Sequence, residues 1–194
     1  MTAKSGYLEL IIGPMFSGKT TRIMNIYDEC QRNGDKVLVI NYEKDTRYHT
    51  SMLSTHDRRV CPCIFVETLK ETMKHIELES PDVILINEGQ FFSDVYEAVI
   101  DMVETYKKKV YICGLDGDFK RQKFGRLLEL IPLCDTIIKL KSKCDVCSEP
   151  ALFSHRKIEN EEQVVIGSDI YIPLCRKCYL QSSISKEHEI CNNI

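Results

Sequence analysis

Residues 7–140 alternate two kinds of apolar pattern. The segments 7–12 (YLELII), 36–41 (KVLVIN), 82–87 (DVILIN), 110–113 and 136–140 are short, nearly continuous apolar runs, as strands buried on both faces require. Between them, 20–32 carries Ile23, Met24, Ile26 and Tyr27 at helical spacing and stops at Asn33-Gly34. The segment 68–79 reads as a helix closed by Ser80-Pro81, 94–107 as a helix with Ser93 at its N-cap, and 127–133 as a short helix. A short strand is expected at 64–66. Strands alternating with helices predict an α/β fold, a parallel sheet with helices on both faces.

Two stretches break the alternation. Residues 42–60 are polar and aperiodic, and 114–125 form a loop rich in Gly, Asp and Phe; loops this long are usually functional. From Lys141 onward turns, short strands and cysteine pairs replace the earlier pattern. The expected division is a first domain over 1–140 and a small second one over 141–194.

Composition narrows the classes. The chain has 194 residues, 43% apolar and 28% charged, which is globular. Its net charge of −3 supplies no basic field for a polyanion, so no nucleic-acid partner is expected. No apolar run nears the roughly 18 residues of a membrane span, and the N-terminus lacks the apolar core of a secretory signal. A cytoplasmic protein with no membrane partner is the expectation.

The ten cysteines matter by placement. Cys144-Asp-Val-Cys147 and Cys175-Arg-Lys-Cys178 are two C-x2-C pairs separated by 27 residues. Four thiolates on two turns can close a tetrahedral structural Zn²⁺ site, whereas disulfides fit a chain without a secretory signal poorly. The other six, including those of Cys61-Pro-Cys63, read as small apolar residues.

Gly13-Pro14-Met15-Phe16-Ser17-Gly18-Lys19-Thr20 fits G-x-x-x-x-G-K-[ST], with a strand expected before it and a helix after. Backbone N–H groups of such a loop curl around a β-phosphate at a helix N-terminus. Lys19 is placed for the β- and γ-phosphates, and the Thr20 hydroxyl for Mg²⁺. The motif implies a nucleoside triphosphate. The usual partner is an acidic residue at the end of a nearby strand. Here 83–86 runs into Asn87-Glu88-Gly89-Gln90, so a neutral amide stands at the metal position and Glu88 is the carboxylate placed for general-base work.

With these segments in place the chain resembles the type II thymidine kinases, the cytosolic and viral class. The matching stretches are GPMFSGKTT (13–21), KDTRY (44–48), THDR (55–58), EGQFF (88–92), GLDGDFKRQKFG (114–125), the first C-x2-C, VVIGSDIY (164–171) and CRKCY (175–179). The resemblance implies a RecA-like P-loop domain followed by a zinc-bearing domain whose lasso-like loop closes over a nucleoside. It implies transfer of the ATP γ-phosphoryl group to the 5′-hydroxyl of thymidine or deoxyuridine, with Mg²⁺ and with Glu88 as the base. Asp45, Thr46 and Arg47 would lie by the phosphates and sugar, with Asn87 and Gln90 also on the ATP side. Phe91, Leu115, Phe119 and Phe124 would surround the nucleoside. Gln163, Val164, Val165, Ile166 and Gly167 would meet the base edge through main-chain groups, and Tyr171 would complete the lasso. Homotetramers and feedback inhibition by the end-product triphosphate, dTTP, are further implications. Two departures stand out: Asn87 replaces the family's Asp, and 166–171 is one residue shorter than I-G-G-x-x-x-Y.

Two other classes fit parts of the pattern. A zinc-ribbon P-loop ATPase acting on DNA would need a basic, aromatic surface, which the charge balance does not supply. A nucleotide-binding regulator without catalysis would be compatible with Asn87.

Overall fold

The computed structural model describes residues 5–45, 52–54, 59–165, 167 and 169–182. Thr46, Arg47 and Ile166, expected to contact ligand, lie outside these residues, as does the 55–58 motif. The elements run β1 (Tyr7–Ile12), α1 (Lys19–Asn33), β2 (Val37–Tyr42), β3 (Met52–Ser54), β4 (Val60–Pro62), β5 (Ile64–Val66), α2 (Met73–Glu79), β6 (Val83–Ile86), α3 (Val95–Ile100), β7 (Lys109–Gly114) and β8 (Thr136–Lys139). After these come β9 (Ser142–Lys143), β10 (Pro150–Ala151), β11 (Phe153–Arg156), β12 (Tyr171–Leu174) and helical residues 176–182.

Six strands form one parallel sheet in the order β5-β2-β6-β7-β1-β8. Period-two alternation within each strand divides the core into two layers. Leu8, Leu10, Leu38, Ile40, Ile84, Ile86, Val110 and Ile112 face one side, against Ile76, Val95, Val99, Met102, Leu127 and Leu130. Ile11, Val39, Val83, Leu85 and Cys113 face the other, against Ile23, Met24, Ile26 and Cys30 of α1. Burial on both sides is why these strands read as unbroken apolar runs.

The expected α/β architecture is present, with local differences. The segment 68–79 starts as a 3-10 turn, Leu69–Thr72, entered through a capping box in which Thr68 and Glu71 bond reciprocally, and only then becomes α2. The N-cap of α3 is Asp94 rather than Ser93, and the Asp94 carboxylate instead accepts the N–H groups of Leu69 and Lys70. The helix ends early as well, widening into a π turn over Asp101–Thr105. The polar 42–60 stretch contains β3, which pairs antiparallel with β4 at the stretch's end, and Leu53 and Cys61 add to the α1-side core. The short helix expected at Leu127–Leu133 is present as a 3-10 helix, with Pro132 inside.

Beyond Leu140, β9 pairs with β10 and β11 with β12, around a small cluster of Cys144, Ala151, Leu174, Cys175, Cys178 and Tyr179. Among the described residues no helix is long and apolar enough to cross a membrane.

Candidate active site

The carboxyl ends of β1, β2, β6 and β7 open onto one cavity of about 510 Å³, within the range of small-molecule sites. Its lining joins the phosphate loop, the segment after β6, the 114–125 loop and residues 163–165, 167 and 171. Residues as distant in sequence as Met15 and Tyr171 therefore share one site.

The phosphate loop leaves β1 at Gly13, whose φ is +154° and whose added Cβ would sit 2.6 Å from the Leu140 carbonyl oxygen. A side chain is sterically excluded there. The Lys19 ammonium is buried and donates to the carbonyls of Gly13 (3.1 Å) and Pro14 (2.7 Å), which holds its charge within the loop. The loop is fastened from behind by the C-terminal part of the chain. The Met15 N–H donates to Ser154 Oγ at 2.9 Å, and Ser142 Oγ donates to the Phe16 carbonyl at 3.0 Å.

Asn87 lies behind this loop, buried. Its Oδ1 accepts the Thr20 hydroxyl at 3.3 Å and the Cys113 thiol at 3.1 Å, and its Nδ2 donates to Asn41 Oδ1 at 2.9 Å. Burial, then the nearby Glu88 charge, pushes the Cys113 thiol up to about 12, so it remains a protonated donor. Thr20 and Asn87 thus bring two oxygens together, a donor set that suits a hard cation keeping most of its waters.

Glu88 follows at φ 56°, ψ 41°, in the left-handed region. For a residue with a side chain this conformation costs about 1–3 kcal/mol and is characteristic of functional positions. Gln90 Nε2 donates to Glu88 Oε2 at 2.6 Å, while Gln90 Oε1 accepts the Leu115 N–H at 3.0 Å. Gly125 makes room for this arrangement: its φ is +59°, and a Cβ there would fall 2.2 Å from the Gln90 carbonyl.

Aromatic rings occupy the other end. Phe91 stacks on Tyr42 at 5.1 Å and meets Phe124 edge-on at 5.3 Å. Phe119 lies on a loop tied down by Asp118, whose Oδ1 accepts the N–H groups of Lys120 and Gln122. Gln163 Nε2 bonds Asp118 Oδ2 at 2.8 Å, so its side chain clasps this loop. The Tyr171 hydroxyl donates to the Val165 carbonyl at 3.1 Å.

The four sulfur atoms of Cys144, Cys147, Cys175 and Cys178 lie within 4.8 Å of one another. Tetrahedral Zn–S bonds of about 2.3 Å place sulfurs about 3.8 Å apart, so this group fits zinc. Burial drives the Cys61 and Cys63 thiols up to about 12 and 11, in keeping with a packing role. The cluster reaches the cavity through Tyr179, next to Cys178, whose hydroxyl donates to the Phe119 carbonyl at 2.6 Å.

Of the residues expected from sequence, Met15, Phe16, Ser17, Gly18, Lys19, Thr20, Asp45, Glu88, Gln90, Phe91, Leu115, Phe119, Phe124, Gln163, Val164, Val165, Gly167 and Tyr171 line the cavity. Asn87 stands behind Thr20, and Gly13 and Pro14 form the loop's rear. Sequence reasoning missed Tyr42, Asp118 and Ser154, which also line it. Asp118 sits in a matched motif and could have been singled out; Tyr42 and Ser154 belong to no motif.

A thymidine kinase family model matches residues 6–179. The thymidine kinase of Oryza sativa subsp. japonica is 37% identical over 184 residues, covering 92% of this chain and 68% of the relative. The cytosolic thymidine kinase of Homo sapiens is 38% identical over 179 residues (92% and 75%), and the thymidine kinase of Yaba monkey tumor virus 38% over 182 residues (93% and 98%).

Proposed function

The chain belongs to the thymidine kinase family, and from that premise we propose that it transfers the ATP γ-phosphoryl group to the 5′-hydroxyl of thymidine, and of deoxyuridine. The observation that supports this reading is that Glu88 lines one cavity together with Lys19 and Thr20 of the glycine-rich loop and the rings of Phe91 and Phe119.

Phosphoryl transfer needs little covalent help from a protein; it needs alignment and charge stabilisation. Lys19 and the loop N–H groups bind the phosphates, with Asp45 nearby; the pair Thr20–Asn87 would hold the Mg²⁺ of the nucleotide. Bound there, the ion would neutralise charge on the β- and γ-phosphate oxygens. Glu88, oriented by Gln90, accepts the 5′-hydroxyl proton as the oxygen attacks phosphorus. The flat, weakly polar base lies among Phe91, Leu115, Phe119 and Tyr171, with its edge against main-chain groups of 163–167. Thr46, Arg47 and Ile166 complete the phosphate and base contacts on the strength of the motifs alone. Zinc on the four cysteines is structural. The division into a kinase unit, 1–140, and a zinc unit, 141–194, belongs to the same reading, as do a cytoplasmic homotetramer and inhibition by dTTP.

The test is transfer of label from γ-labelled ATP to thymidine with Mg²⁺ present. Labelled thymidine monophosphate is the expected product. No transfer to thymidine, together with ATP hydrolysis stimulated by DNA, would overturn the reading in favour of a DNA-dependent ATPase.

A further inference from the structure

Arg156, on β11, is 1% exposed and takes part in none of the roles above. Its guanidinium plane lies over the Phe119 ring, with Cζ 3.7 Å from the ring centroid. Its edge donates to the segment that follows. Nη1 reaches the carbonyls of Asn160 (2.9 Å) and Glu162 (2.6 Å), and Nη2 reaches the Gln163 carbonyl (3.0 Å). The Tyr171 hydroxyl accepts from both Nη2 (2.6 Å) and Nε (3.1 Å), and itself donates to the Val165 carbonyl. One side chain therefore backs an aromatic ring of the cavity with its face and gathers the base-edge segment with its rim.

We propose that Arg156 is a positioning residue for the nucleoside, setting both the stacking surface of Phe119 and the course of 160–165. The inference rests on the nucleoside reading of the cavity. Covering one face of Phe119 leaves the rest of the ring turned to the cavity it lines. A face-on cation also fixes the ring's tilt, because the attraction to the ring quadrupole falls off away from its axis. The carbonyls of 160, 162 and 163 converge on a planar fork of five donors, a geometry that an ammonium with three donors on a flexible stem does not reproduce. Burial sharpens the requirement, since a donor left without its acceptor there has no water to turn to.

The experiment compares the wild-type protein with Arg156→Lys and Arg156→Gln, in steady-state kinetics with each substrate varied. The thymidine KM is expected to rise on the order of 10- to 100-fold, the scale of lost charge-assisted hydrogen bonds. The ATP KM and the zinc content should stay near wild type. In a Phe119→Leu background the same Arg156→Lys change should have a smaller effect, because the two residues act through one contact. An unchanged thymidine KM, or equal rises in both KM values, overturns the proposal.

Hydrogen exchange supplies a reading even for a variant without activity. Amides of 157–165 should exchange faster in Arg156→Lys while those of β7 do not, and uniform acceleration would show a general scaffold role instead. A wild-type protein that transfers nothing to thymidine refutes the functional reading. An active wild type with an indifferent Arg156 refutes only this inference.

Discussion

Gln90 holds Glu88 by a 2.6 Å hydrogen bond from its Nε2, and with its Oε1 it holds the N–H of Leu115. One amide thus joins the proposed base to the first residue of the loop that carries Phe119. The same Glu88 has a left-handed backbone, φ 56° and ψ 41°.

Glu88→Gln keeps the shape of the side chain but removes the proton acceptor. Turnover should fall about 10²–10⁴-fold with ATP binding near normal, measured by steady-state kinetics and nucleotide titration. Retention of most turnover would remove Glu88 from the mechanism. Gln90→Leu leaves the carboxylate in place without its donor, and kcat should fall about 10-fold or more, the worth of one hydrogen bond to a charged group. A rise in the ATP KM alone would instead assign Gln90 to the nucleotide.

Zinc should be bound at one ion per chain by Cys144, Cys147, Cys175 and Cys178, and its removal should act on the nucleoside more than on ATP. Binding in small structural sites is worth on the order of 10 kcal/mol, enough to order segments with little core of their own. The physical link is Tyr179, adjacent to Cys178, whose hydroxyl holds the Phe119 carbonyl. Chelation or Cys147→Ser should raise the thymidine KM well before it raises the ATP KM. Metal analysis that finds no zinc in protein purified without chelator would refute this.

The central sheet was legible because strands covered on both faces leave continuous apolar runs, and α1 because Ile23, Met24, Ile26 and Tyr27 recur at helical spacing before Asn33-Gly34 ends it. The phosphate loop and the cysteine pairs were legible because their chemistry depends on local spacing. What escaped was non-local. Asp94 caps the turn at Leu69 from 25 residues away, Ser154 holds Met15 from 139 away, and Arg156 sits in the polar run His155-Arg156-Lys157, which has no period to mark it. The left-handed Glu88 was illegible for a different reason. A positive φ at a carboxylate residue runs against that residue's own propensity, so the sequence does not announce it.

Ser154 accepts the Met15 N–H inside the phosphate loop, and it is buried. Ser154→Ala leaves that N–H without its partner, at a cost of about 1–3 kcal/mol if no water replaces it. The loop should loosen, with a raised ATP KM, a lower Tm and unchanged zinc content, while Ser154→Thr preserves the hydroxyl and most of the affinity. Thermal melts and nucleotide titration check this. An ATP KM that does not move in Ser154→Ala would show the contact to be passive.

Asn87 tests how the metal is held. Its Oδ1 already accepts from Thr20 and Cys113, and its Nδ2 faces the Asn41 oxygen at 2.9 Å. Asn87→Asp replaces that Nδ2 with a second acceptor, so two oxygens would oppose each other unless the Asn41 amide turns to donate. The turn is cheap, because among the described residues it gives up one long hydrogen bond, from Asn41 Nδ2 to the Asp45 carbonyl at 3.5 Å. The variant should therefore fold normally. Mg²⁺ retains several waters and few protein ligands, and a carboxylate behind Thr20 can accept hydrogen bonds from those waters more strongly than an amide does. The Mg²⁺ concentration for half-maximal rate should fall, by up to about 10- to 100-fold if one charge-assisted hydrogen bond of about 1.5–3 kcal/mol is gained. The competing effect is repulsion between the new charge and Glu88, one residue away, which acts on the pH profile and leaves metal affinity alone. Mg²⁺ titrations across a pH series separate the two. A flat Mg²⁺ dependence with a displaced pH profile would mean that position 87 does not serve the metal.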